Sequence, residues 1–183
     1  MNRAEALDSV KANVEDEDVI KHMLATEAIM RALAKHLGED GEEWGLTGLL
    51  HDIDIELIEG DMYNHSKLGA DLVRELGASD AMAHAILCHN RRHGIPVETK
   101  LDAALICADV LPKLIMAAAL AYPDKKLAGL DVGTVKKRLD ESDFAPEVDR
   151  ERIALCREIG LGLDEYLELA LAAMQKIAPD LGL

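Results

Sequence analysis

The chain has 183 residues and a formal net charge of −15, and 49% of its residues are hydrophobic. A surface this acidic repels nucleic-acid backbones and anionic lipids, so the charge argues against a nucleic-acid polymer or a membrane as a partner. The length fits a single domain, residues 1–183, and the scarcity of aromatic residues predicts an aliphatic core of packed helices.

The spacing of the cysteines and the lengths of the apolar segments help to predict the cellular compartment. The three cysteines are widely spaced and form no Cys-x-x-Cys pair, and the N-terminus lacks the apolar segment of a signal peptide. The longest strongly apolar run, residues 114–122, is far shorter than the roughly 20 residues that span a bilayer. These features predict a cytoplasmic protein.

Apolar residues recur with a helical period almost throughout, and no strand alternation is sustained. The predicted helices cover, in chain order, about 19–37, 42–52, 62–76, 80–90, 99–121, 132–140, 147–159 and 165–177. The predicted caps are Asp16 or Asp18 and Gly38 for the first helix, and Ser79, Asp131 and Asp164 for later ones. Pro112 should kink or split the long fifth helix. The expected architecture is all-α, with a core at 19–122 and a helical extension at 123–183.

Ionisable residues gather at the apolar boundaries of these helices. The seven histidines all lie in the first 93 residues. Four imidazoles and two carboxylates fall on five separate elements: His22, the pair His51-Asp52, His65, His89 and Asp109. Asp109 lies in an otherwise uncharged stretch, where an unpartnered carboxylate would be costly. This set suits one or two transition-metal ions with nitrogen and oxygen ligands, and the missing thiolates argue against structural zinc.

The same residues resemble a family signature. In their order, His22, His51-Asp52 and Asp109 resemble the His…His-Asp…Asp signature of the HD-domain metal-dependent phosphohydrolase superfamily. The stretch LTGLLHDI, residues 46–53, is similar to the central motif of its HDIG-type subgroup. His65 and His89 resemble the two extra histidines of dinuclear members. The resemblance covers about residues 19–122 and implies an HD-domain helical bundle with a C-terminal helical extension.

The resemblance also implies a division of roles. It assigns the first ion to His22, His51, Asp52 and Asp109, with Asp52 bridging to a second ion at His65 and His89. One or two divalent ions are expected, among Fe, Mn, Co, Ni, Mg and Zn, with Fe or Mn favoured. A mononuclear site, with His65 and His89 as substrate contacts or capping residues, is the alternative.

One position departs from the family pattern. Many relatives have Gly-Lys after His-Asp-Ile, whereas this chain has Asp54-Ile55, which suggests a different substrate contact. Asp54, or Glu56, is expected to orient the attacking water or an imidazole, so Asp52 and Asp54 are the predicted catalytic residues. The predicted phosphate contacts follow the ligands His65 and His89 directly: Lys67, Arg91, Arg92 and His93.

Three functions remain open from the sequence. The first is hydrolysis, by metal-activated water, of a phosphoester or phosphoanhydride in a small molecule, with a nucleotide as the expected substrate. The second is a di-iron oxygenase of the HD type. The third is a non-catalytic, metal-containing module that senses a ligand. The sequence leaves the oligomeric state open.

Overall fold

The computed structural model describes all 183 residues and contains no strand, which confirms the all-α prediction. The ten α-helices are α1 (Arg3–Asn13), α2 (Glu17–Leu37), α3 (Gly41–Leu50), α4 (Lys67–Glu75), α5 (Asp80–His89), α6 (Lys100–Leu120), α7 (Val132–Asp140), α8 (Arg150–Ile153), α9 (Leu163–Lys176) and α10 (Ala178–Leu181). Short 3₁₀ segments lie at Arg91–His93, Leu127–Gly129 and Ala154–Ile159. The first helix, α1, has no counterpart among the helices predicted from sequence.

The two longest helices, α2 and α6, pack against each other and against most of the others. The α2 helix begins after Asp16, whose carboxylate accepts the Asp18 N–H, and it ends at Gly38 with a left-handed φ of 73°. Both caps match the predicted signals, because a short acidic side chain satisfies a free N–H group and glycine adopts positive φ without strain. The predicted cap Ser79 likewise accepts the N–H of Met82 at the start of α5.

The α6 helix is the core helix of the bundle. It runs unbroken from Lys100 to Leu120 with Pro112 inside it, so the predicted split did not occur. Packing explains this result, since 16 of the 21 residues of α6 are buried, Pro112 among them, which offsets the ~3 kcal/mol that an interior proline costs. By length and composition α6 is apolar enough to cross a membrane, but 78% of its apolar 18-residue stretch is buried inside the protein.

The chain between α3 and α4 departs from the predicted helices. The α3 helix ends at Leu50, so His51 and Asp52 lie in a run of turns instead of closing the helix. The α4 helix begins only at Lys67, and Ser66 before it has a φ of 67°. A left-handed residue interrupts a helix, and His65 therefore precedes α4 instead of opening it.

The C-terminal helices share one apolar core with the rest of the bundle, and buried members of this core range from Ala6 to Leu181. Tyr166 of α9 is fully buried and donates its hydroxyl to the Cys107 carbonyl oxygen on α6, at 2.8 Å. The predicted helix at 147–159 is divided between α8 and a 3₁₀ segment. Asp164 lies in the first turn of α9, whose cap position is taken by Gly162.

Candidate metal centre

Six side chains singled out from the sequence meet in the middle of the bundle, and all six are buried. Their ligand atoms form two groups, in each of which all atoms lie within 4.8 Å of one another. The first group is His22, His51, Asp52 and Asp109, and the second is Asp52, His65 and His89. The fold thus brings together residues up to 87 positions apart, as the contact between His22 and Asp109 shows.

Asp52 belongs to both groups because its two carboxylate oxygens face different histidines. Its Oδ2 lies 3.2 Å from Nε2 of His51. Its Oδ1 lies 3.4 Å from Nε2 of His65 and 3.3 Å from Nε2 of His89. If each group held an ion, Asp52 would be within reach of both.

The first group closes around Nε2 of His22. This atom lies 3.1 Å from Oδ1 of Asp109 and 3.2 Å from Nε2 of His51. Nε2 of His51 in turn lies 3.4 Å from the same Asp109 oxygen. Three ligand atoms therefore converge on one small volume.

Hydrogen bonds behind two of the imidazoles determine which ring nitrogen faces the centre. Nδ1 of His51 donates to the Gly48 carbonyl oxygen at 2.8 Å, and Nδ1 of His89 donates to the Ile86 carbonyl oxygen at 2.6 Å. A carbonyl oxygen only accepts, so the neutral ring carries its proton on Nδ1 and a lone pair on Nε2. Both Nε2 lone pairs point at the centre. Buried imidazole nitrogens and carboxylate oxygens in this arrangement fit divalent cations.

Asp54 lies behind the centre and positions His65. Its carboxylate is fully buried and accepts Nδ1–H of His65 at 2.9 Å, and the backbone N–H groups of Ser66 and Gly69 at 2.7 and 2.8 Å. A Cβ at Gly69 would stand 3.2 Å from Asp54 Oδ2, so glycine permits this close approach. Of the two roles predicted for Asp54, its position supports orientation of an imidazole and not direct action on water.

Replacing Asp54 with asparagine should therefore weaken metal binding at His65 without removing a ligand. Loss of a residue that orients a ligand typically costs 10- to 100-fold in metal affinity, and we expect a loss of about that size. Competition with a chelating dye measures it. The matched control is Glu56→Gln, because Glu56 accepts the N–H groups of Glu15 and Asp16 and lies away from the centre. Equal metal affinity in Asp54→Asn and Glu56→Gln would contradict the positioning role.

Buried carboxylates change the charge state of the histidines in the metal-free protein. Burial lowers the pKa of His51, but Asp52 and Asp109 outweigh it and raise that pKa from 6.5 to about 10. Burial also lowers the pKa of His65, but Asp52 and Asp54 outweigh this effect and raise that pKa from 6.5 to about 9. Burial raises the pKa of the Asp52 carboxyl, but His51 and the other imidazoles hold it well below its usual value.

Metal binding should consequently release protons. At pH 7.5 the metal-free protein carries a second proton on His51 and on His65, and both must leave before the rings act as ligands. We expect about two protons released per chain, measured by calorimetry in buffers of different ionisation enthalpy.

The same shifts predict that the stability of the metal-free protein falls at high pH and that the stability of the metal-loaded protein does not fall in this way. The raised pKa values stabilise the metal-free fold fully below pH 6.5, and this contribution is lost as the pH rises through about 9 to 10. The metal-loaded protein should lack this loss. Thermal unfolding of both forms between pH 6 and about 10 tests the prediction, and identical pH profiles would contradict it.

A cavity of about 300 Å³ opens beside His65 and His89, and we call it the cationic cavity. Four basic side chains line it: Arg91, Arg92, Lys113 and Arg152. Apart from Asp52 and Asp109, its only carboxylate is Asp149. A cavity with this charge distribution, next to the candidate metal centre, is suited to a phosphate group.

Two of the four predicted phosphate contacts lie elsewhere. Lys67 stands 3.6 Å above the ring of Tyr63 and does not line the cavity. His93 turns inward, and its Nε2 donates to the His65 carbonyl oxygen at 2.7 Å. Neither residue lines the cationic cavity, because closeness in sequence to a ligand does not set the direction of a side chain in a turn. Arg91 and Arg92 do line the cavity.

Two basic residues of the cavity were missed in the sequence. Lys113 follows Asp109 by one helical turn on α6, and this i, i+4 spacing was a usable signal. Arg152 comes from α8, and its Nη2 donates to Asp109 Oδ2 at 2.6 Å and to the His89 carbonyl oxygen at 3.2 Å. Nothing in the sequence around Arg152 indicates this contact, which depends on how the C-terminal segment folds back.

Comparison with known proteins agrees with this geometry. The HD domain family model matches residues 19–125. Curated relatives named Ribonuclease Y include those of Oleidesulfovibrio alaskensis, 30% identical over 96 residues, and Syntrophobacter fumaroxidans, 32% identical over 96 residues. Each alignment covers 52% of this chain and 18% of the relative, so the chain matches less than a fifth of their length. No solved structure matches the chain.

Proposed function

Because this chain belongs to the HD-domain family, we propose that it is a phosphohydrolase that cleaves a phosphoester or phosphoanhydride of a small molecule. One observation carries the proposal. The buried cluster of four imidazoles and two carboxylates adjoins a cavity lined by four cations. The cluster has the composition of a divalent metal site, and the four basic side chains of the cavity outnumber its three carboxylates, which favours a phosphorylated substrate.

The six residues of the centre would bind two ions. His22, His51 and Asp109 would hold one ion, His65 and His89 would hold another, and Asp52 would contact both. Bound divalent ions supply an activated water near neutral pH and neutralise charge on the phosphate. Iron or manganese is the favoured ion, as the nitrogen and oxygen ligands suggest.

The chain's own cations position the substrate. Arg91 and Arg92 are exposed at the edge of the cationic cavity, where their guanidinium groups can form paired hydrogen bonds to phosphate oxygens. Arg152 has one nitrogen committed to Asp109 and lies deeper. The proposed order of contact is therefore capture of the phosphate by Arg91 and Arg92, followed by its placement beside Asp52.

The proposal also distinguishes a small-molecule substrate from RNA. A small phosphorylated molecule, with nucleotides as the first class to test, is favoured over RNA by the net charge of −15. The name Ribonuclease Y of the relatives favours RNA as a second candidate. A cytoplasmic location stays a prediction.

The test is a screen of metal-loaded protein. Protein purified without chelator is analysed for metal, then assayed with Mn, Fe, Co, Ni or Mg against phosphomonoesters, nucleotides, dinucleotides and a short RNA. Phosphate release from small molecules is expected, whereas cleavage of RNA alone would favour the second candidate. Iron-specific oxygen consumption would favour an oxygenase. A fully metallated protein that is inert in every assay would favour a ligand-sensing role and contradict the proposed hydrolysis.

A further inference from the structure

A second cavity of about 480 Å³ adjoins the cationic cavity, and we call it the apolar cavity. The two cavities share Asp52, Ile55 and Lys113. Beyond these, the apolar cavity is lined mainly by hydrocarbon side chains, which are Val19, Met116, Ala117 and Leu120. Its remaining lining residues are Asp18 and His22. The candidate metal centre therefore lies between the cationic cavity and the apolar cavity.

One face of α6 runs from the cationic cavity to the apolar cavity. Asp109, Lys113, Met116 and Leu120 follow at intervals of four, three and four residues, which places them along one side of the helix. The distance along the helix axis from Lys113 to Leu120 is about 10 Å, at 1.5 Å per residue. A ligand lying on this face would meet a carboxylate, then an ammonium group, and then an apolar surface.

The apolar part of this face is not covered by the rest of the bundle. The Leu120 side chain is 53% exposed, one of only five large hydrophobic residues exposed in the chain. Val19, Met116 and Ala117 are each half-buried. A concave group of apolar side chains beside a few polar groups is typical of a ligand-binding site.

We propose that the apolar cavity binds a hydrocarbon group of the substrate, attached to the phosphate that the cationic cavity holds. This inference rests on the proposed phosphohydrolase function and narrows its substrate class. Apart from the imidazole of His22, which belongs to the candidate metal centre, the lining contains no aromatic ring for a nucleobase to stack on. It also offers few free polar groups, since His22 and Asp52 belong to the metal centre, so the polar edges of a base would lose their hydrogen bonds there. Aliphatic side chains fit an alkyl or aryl group instead.

Binding of phosphonates tests the inference without relying on catalysis. Manganese-loaded protein is titrated by calorimetry with methylphosphonate and hexylphosphonate, whose carbon–phosphorus bond is not a hydrolysable ester. We expect hexylphosphonate to bind about 30-fold more tightly, at roughly twofold per methylene in a half-open cavity, against about fourfold for full burial. Equal affinities would overturn the inference.

Variants of the lining residues test whether the preference for hexylphosphonate arises in the apolar cavity. Leu120→Asn should lower the hexyl-to-methyl affinity ratio about threefold or more, because the end of the apolar face becomes polar. Ala117→Phe should lower it too, by filling the cavity. The matched control is Leu57→Asn, since Leu57 is 45% exposed and lines neither cavity. A ratio that falls equally in the Leu57 control, or in none of the variants, would overturn the assignment to this cavity.

Turnover separates this inference from the proposed function. Hydrolysis of hexyl phosphate with a higher kcat/KM than methyl phosphate is expected. Hydrolysis of both at equal kcat/KM, or a clear preference for a nucleotide over hexyl phosphate, would overturn the inference and leave the phosphohydrolase function standing. Tight binding of hexylphosphonate without any turnover would contradict the hydrolase function and support the cavity as a ligand site.

Discussion

In the Asp52→Ala variant, phosphate release is expected to fall by about 1,000-fold or more, because the loss of at least one metal ion removes several kcal/mol of charge stabilisation. Asp52 is the single side chain shared by both ligand groups. Its Oδ2 faces His51, and its Oδ1 faces His65 and His89. Its removal therefore affects both groups, whereas removal of any one histidine affects one.

Metal content and activity are measured on the same preparations. We expect up to two ions per chain in the unaltered protein and at most one in Asp52→Ala. Asp52→Asn keeps the shape and removes the charge, so it separates lost packing from lost ligation. Asp71→Ala is the matched control, an exposed aspartate paired only with Arg74. Undiminished phosphate release from a folded Asp52→Ala protein would contradict a shared carboxylate at the centre.

Arg152→Met should lower metal affinity and kcat/KM by about 10- to 100-fold, the usual cost of losing a group that holds a ligand. Arg152 donates from Nη2 to Asp109 Oδ2 at 2.6 Å, while the other oxygen of Asp109 faces His22. Without Arg152, the buried Asp109 carboxylate keeps its burial cost and loses a charged partner. Methionine replaces the aliphatic stem of arginine and its apolar packing but has no guanidinium group to donate a hydrogen bond.

Two further variants sharpen this test. Arg152→Lys should restore part of the loss, because an ammonium group keeps the charge but lacks the planar arrangement of donors. Arg157→Met is the matched control in the same segment, at an exposed arginine away from the centre. Metal affinity is followed by chelator competition and stability by thermal unfolding. A fall in melting temperature with unchanged metal affinity would reduce Arg152 to a structural contact.

The helices and the six residues of the centre were accessible from the sequence for a physical reason. Helix caps and apolar periodicity act over a few residues, so Asp16, Gly38 and Ser79 could be recognised locally. Asp109 stood out because a lone carboxylate in an apolar helix must find a partner. These signals predicted which residues would meet. They did not predict the hydrogen bonds that orient those residues.

Only the tertiary structure decided what surrounds the centre. Lys67 and His93 follow ligands in the sequence, yet in the turns that carry them one stands over Tyr63 and the other turns inward. Arg152 reaches Asp109 from 43 residues away. Asp54 is buried behind His65, and the apolar face of α6 stays uncovered. The sequence by itself determined most of the helices and the six candidate ligands, because those follow from local chemistry. The direction of each surrounding side chain depends on long-range packing, which no local pattern encodes.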